Sequence, residues 1–111
     1  MASLLDRIEY ALYENFVAKD ELNLAIFTMA NAWKFFMECA EKNKKVKECM
    51  LDVVQKGDGY KITQLMLDAN GMPVKTDADY CVGRIVKAEA LDGDVQKFLN
   101  GSSRKNIKLP Y

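Results

Sequence analysis

Apolar residues recur along the first half of the chain at intervals of three and four. Leu4, Leu5, Ile8, Ala11, Leu12 and Phe16 follow Ser3 and Asp6, whose spacing suits a helix N-cap and its capping acid, so a first helix is predicted over residues 4–17. Asp20 and Glu21 are placed to cap a second start. Beyond them Leu22, Ala25, Ile26, Met29, Ala30, Trp33, Phe36, Met37 and Ala40 share one face of a helical projection, with Leu24, Ala32, Phe35 and Cys39 beside them. The apolar arc spans roughly 240°, whereas an outer helix needs little more than about 100°. Residues 20–42 are therefore expected to form the central helix of a bundle or part of a subunit interface. Leu4 and Leu22 lie a whole number of turns apart, so one continuous helix over 3–42 is the alternative to two, and it would favour self-association. Lys34 and Glu38 inside this stretch argue against a membrane span.

Residues 1–56 contain neither Gly nor Pro, and every Gly and Pro falls later. Val46, Cys49, Met50, Val53 and Val54 predict a third helix over 44–56, capped by Asn43 and closed by Gly57. Ile62, Leu65, Met66 and Ala69 behind Asp58 predict a fourth that ends at Asn70-Gly71. Asn-Gly is also the dipeptide of a tight hairpin, so strands at 62–67 and 72–74 are the rival reading; the consecutive Leu65, Met66 and Leu67 break strict alternation and favour the helix. Thr76 and Asp79 would cap a fifth helix carrying Cys81, Val82, Ile85, Val86 and Ala90. A short sixth opens at Asp92 or Gly93, contains Val95, Phe98 and Leu99, and closes at Asn100-Gly101. The expected fold class is all-α: a compact bundle of five to six helices around the helix at 20–42. It forms a single helical domain over 1–101, followed by an extended basic C-terminal tail over 102–111.

Composition narrows the chemistry. The chain has 111 residues, 16 Lys+Arg balanced by 16 Asp+Glu, and no His, so it is sized for one domain and cannot build a catalytic triad, a Cys-His pair or an imidazole-ligated zinc site from its own residues. Cys39, Cys49 and Cys81 are odd in number and spaced by 10 and 32, which fits neither a zinc ribbon nor a disulfide framework; reduced thiols are expected. The opening MASLLDRIEY carries acids where a signal peptide needs a basic region, so a cytoplasmic protein is expected. Residues 68–79 match an EF-hand loop in length, but Pro73 stands where the loop needs Gly and Met72 offers no oxygen. With no phosphate loop or nucleophile elbow either, neither catalysis nor a cofactor or metal is expected.

What remains is binding. The apolar surplus of the central helix suggests a small non-catalytic regulator or inhibitor that acts through protein–protein contacts, homo-oligomerisation among them, with Phe27, Asn31, Lys34 and Phe35 on the wedge that meets the partner. The alternative is nucleic-acid binding by Lys42, Lys44, Lys45 and Lys47 together with Arg104, Lys105 and Lys108 of the tail, the concentrated positive charge of the chain. A weaker variant reads 58–90 as a DNA-binding helix pair that offers Arg84 and Lys87, although Asp77 and Asp79 would repel phosphate at its leading end.

Overall fold

The computed structural model describes residues 21–75 and 81–109. They run as β1 (Glu21–Phe27), α1 (Met29–Lys42), β2 (Glu48–Lys56), β3 (Gly59–Leu67), β4 (Gly83–Leu91), α2 (Gly93–Leu99) and β5 (Arg104–Lys108). The strands form one mixed sheet in the order β1-β4-β3-β2-β5, in which β1 is parallel to β4 and the other neighbours are antiparallel. The all-α bundle is thereby overturned, and the segments predicted as the third, fourth and fifth helices are the three inner strands. The first predicted helix, over 4–17, lies outside the described residues.

Burial explains the discrepancy. Residues 49–53 of β2 and 62–67 of β3 are buried at every position, because apolar side chains leave these strands toward both faces. A strand covered on both sides loses its alternation, and a continuous apolar run always contains positions three and four apart. The consecutive Leu65, Met66 and Leu67 mark such a strand and not the expected helix. One face carries Cys49, Leu51, Ile62, Met66 and Val86 beneath Ala32 and Phe36 of α1; Met50, Leu65, Leu67 and Cys81 form a smaller cluster apart from it.

The predicted central helix divides at Thr28, which also excludes one continuous helix over 3–42. Thr28 is extended, at φ −117° and ψ 159°, and its Oγ1 accepts the Asn31 N–H at 3.0 Å, so the helix start is a threonine N-cap rather than Asp20 and Glu21. Residues 21–27 before it join β4 as a parallel strand. The roughly 240° arc came from projecting strand and helix residues onto one wheel. Within α1 alone Ala32, Phe36 and Cys39 are buried, and Lys34, Glu38, Glu41 and Lys42 are exposed, the stripe of an ordinary helix packed on one side.

Two turns and the last helix follow their local chemistry. Lys56 pairs with Gly59, leaving Gly57-Asp58 as the hairpin turn, and Gly57 takes the left-handed φ of 59° that the first position of a primed turn requires. At Asn70-Gly71 the chain also reverses, and Leu67 bridges Pro73, so the rival hairpin reading holds at that turn. The short sixth helix is α2: the Asp92 carboxylate accepts the Val95 N–H at 2.9 Å, and Asn100 closes it in the left-handed region at φ 49°. The expected tail is extended but paired, as β5 along β2.

Gly59 is held by a close approach. A Cβ there would stand 2.8 Å from the Ala88 carbonyl oxygen of β4. Gly59→Ala is expected to destabilise the protein by roughly 1–3 kcal/mol through the forced shift of the two strands, measured as a lower urea midpoint with an unchanged m-value.

Candidate functional site

Gln64 of β3 and Arg84 of β4 are cross-strand partners. Gln64 is fully buried, which requires its amide to be satisfied internally. Its Nε2 donates to the Ala32 carbonyl of α1 at 3.1 Å and lies 3.9 Å from Cys49 Sγ, while its Oε1 accepts from Arg84 Nε at 2.7 Å. Arg84 Nη2 donates in turn to the Asn31 carbonyl at 3.1 Å, and the guanidinium carbon sits 4.2 Å from the centroid of the Phe35 ring. Two adjacent strands thus grip the first turn of α1 through polar groups, and the aromatic face of Phe35 covers the cation.

The resulting cleft, about 270 Å³, is lined by Leu24, Asn31, Lys34, Phe35, Glu38 and Arg84. Burial lowers the pKa of the Arg84 guanidinium, with Cys39, Cys49 and Glu38 acting against that shift, and a guanidinium stays cationic at neutral pH. Nε and Nη2 each engage one acceptor, two of the five N–H groups that an arginine offers. Among the described residues no carboxylate lies within ion-pair distance of Arg84, although Glu38 stands on the wall of the same cleft. The arrangement is a half-buried, pre-oriented cation with unspent donors, beside a second cation at Lys34.

Of the docking residues expected from sequence, Asn31, Lys34 and Phe35 come together here. Phe27 does not: it is fully buried at the end of β1, part of the core and absent from any surface wedge. Gln64 and Glu38 are not among the site residues expected from sequence, and Arg84 is expected there on a DNA-binding helix that is in fact β4. A hint was available in Thr63 and Gln64, the two polar residues inside the otherwise apolar run of β3, since a buried polar side chain has to find partners.

The basic residues assemble only in part. Lys42 ends α1, where a cation complements the helix dipole, and Lys44 and Lys45 occupy the exposed turn after it. Pairing of β5 with β2 sets Lys108 opposite Glu48, next to Lys47. Arg104 is engaged with the Asp52 carboxylate at 3.3 Å, and Lys105 donates to the Phe98 carbonyl at 3.0 Å above that residue's ring. The segments of the supposed DNA-binding helix pair are strands, so that variant falls. A larger open depression of about 750 Å³ beside the β2–β3 turn mixes Lys56, Lys61 and Lys87 with Asp58 and Glu89.

The thiols are equally informative. Cys39, Cys49 and Cys81 are all buried and unbridged, and burial pushes the Cys49 thiol up to about 12 despite its contact with Gln64. Asp68, the first residue of the EF-hand-length span, spends its carboxylate on the N–H groups of Asn70 and Met72. Among the described residues no group of acids and thiols is arranged to hold a metal, and no helix is long and apolar enough to cross a membrane. Compared with protein-family models, with curated proteins and with solved structures, the chain matches none.

Two measurements check this geometry. Arg84→Met keeps the apolar stem but leaves Gln64 Oε1 buried without its donor, and a loss of roughly 1–3 kcal/mol in urea unfolding is expected. Because the folded state raises the Cys49 pKa from 9.0 to about 12, the folded chain keeps a proton that the unfolded chain releases. The stability tied to that proton is fully present below pH 9 and is lost as pH rises toward 12. Over that window stability should therefore fall more steeply for the native chain than for Cys49→Ala.

Proposed function

We propose that the protein is a non-catalytic binding module, a small cytoplasmic regulator or inhibitor that docks on a partner protein by receiving an acidic side chain of that partner in the Arg84 cleft. The observation that carries this reading is the half-buried Arg84 cation, anchored by Gln64 and Asn31 and retaining N–H donors with no carboxylate paired to it among the described residues. Such a guanidinium suits bidentate pairing with a carboxylate, and its anchoring removes part of the ordering cost of binding. Size supports the class of ligand. At about 270 Å³ the cleft lies below the range of drug-sized sites and accommodates one side chain. Lys34 and the Phe35 ring flank the incoming group, so three of the residues expected from sequence surround it.

A binding role also accords with the available nucleophiles. The chain has no histidine and its three thiols are buried, so neither an imidazole base nor an exposed thiolate is offered. The nucleic-acid reading draws on Lys47 and Lys108 alone as newly adjacent cations, since Arg104 and Lys105 serve contacts within the chain.

The test uses pairs of short blocked peptides that are identical except for one Glu or Gln. Titration followed by amide and arginine Nε–H NMR should move the signals of Asn31, Lys34, Phe35 and Arg84 with the Glu peptides, and at least about tenfold less with their Gln counterparts at equal concentration. Lys34→Ala, an exposed substitution, should weaken binding without unfolding the chain. Equal responses to Glu and Gln peptides, or shifts that leave the cleft untouched, would overturn the proposal.

A further inference from the structure

We propose that two copies of this chain join along the outer edges of β1, antiparallel about Leu24, to form one continuous sheet of ten strands. The inference rests on the contrast between the two edges of the sheet and not on the Arg84 cleft. An exposed edge strand invites pairing with another chain unless charge, proline or distortion blocks it. At the β5 edge Arg104, Lys105 and Lys108 are all exposed, and although Arg104 pairs with Asp52 and Lys105 with the Phe98 carbonyl, this row of cationic side chains is of the kind that blocks strand addition. The β1 edge carries one charge, Glu21 at its first position, and none beyond it among the described residues. Residues 23–27, Asn-Leu-Ala-Ile-Phe, hold no charge, proline or glycine, and among the described residues no strand lies outside β1. Asn23 and Ala25 are exposed, and Ile26 is 52% exposed, the most open large apolar residue described.

Charge selects a second copy of the same strand. In an antiparallel pair centred on Leu24, that residue faces its own copy, Asn23 faces Ala25 and Ile26 faces position 22, so no like charges meet. The same operation on β5, centred on Asn106, sets Arg104 against Lys108 twice and is repulsive. A two-fold axis of this kind is self-complementary and closes after two chains, which ends growth at a dimer. The axis is perpendicular to the sheet and leaves both copies of α1 on the same side. Because Leu24 also walls the Arg84 cleft, the two clefts open side by side on one face of the dimer.

Sedimentation equilibrium over micromolar to millimolar protein should give a mass that rises to twice the 12.6 kDa of one chain. Ala25→Lys and Ile26→Lys alter exposed positions, so each should leave the fold intact and weaken dimerisation about tenfold or more by placing two cations near the axis. Register is read by cross-linking. A chain carrying Asn23→Cys mixed with one carrying Ala25→Cys should form an intermolecular disulfide when oxidised glutathione takes up the two electrons and is reduced to two thiols; neither variant alone should do so. A monomer at every concentration overturns the proposal, and so does a dimer that is indifferent to both lysine substitutions and gives no cross-link in the mixture.

Discussion

A buried amide ties the helix layer to the sheet. Gln64 has no access to water, so every polar atom it carries has to be answered by a neighbour, and the answers come from three elements: the Ala32 carbonyl on α1, Cys49 on β2 and Arg84 on β4. Apolar packing would tolerate small shifts of α1 over the sheet, whereas these bonds select one position. Arg84 then repeats the constraint at Asn31, one residue before Ala32, so the start of the helix is held at consecutive carbonyls. The same bonds fix the guanidinium over Phe35, and a structural requirement of the core thereby creates an oriented cation at the surface.

That coupling makes the cleft a product of folding rather than a patch added to it. The donors that orient Arg84 are satisfied inside the protein, and those that remain line a space whose walls come from β1, α1 and β4. A long arginine on a free surface would lose rotamer entropy on meeting a carboxylate; here much of that loss has already occurred. The two sheet edges follow a similar logic, because the residues that guard β5 are the basic ones that also look like a nucleic-acid site in sequence.

The sequence was legible where structure is governed by neighbours in the chain. Asp92, Asn100 and Gly101 bracket α2 because capping is settled within a few residues. The turn at Asn70-Gly71 is of the same kind, and the helical stripe of residues 29–42 belongs to one helix. Legibility failed at β2, β3 and β4. Runs such as Cys49 to Val53 and Ile62 to Leu67 are mainly apolar, broken by Asp52 in the first and by Thr63 and Gln64 in the second, and such a run is compatible with a buried helix or with a strand covered on both faces. Thr28 was overlooked as a cap because the apolar residues on both sides of it continue a single helical projection.

Three of the four expected docking residues surround the cleft, since Asn31, Lys34 and Phe35 share a turn whose outward side is a matter of helix geometry alone. Their partner was beyond reach, because Arg84 lies 53 positions from Asn31 and meets it only after β4 has paired with β3. By itself the sequence determined the caps of α2, the rival turn at Asn70-Gly71, the absence of imidazole chemistry and the outward placement of Lys34 and Glu38 on α1. The tertiary structure decided that the apolar runs are strands, that Phe27 is core, and that Gln64 delivers Arg84 to α1, because strand pairing and two-sided burial depend on contacts between residues far apart in the chain.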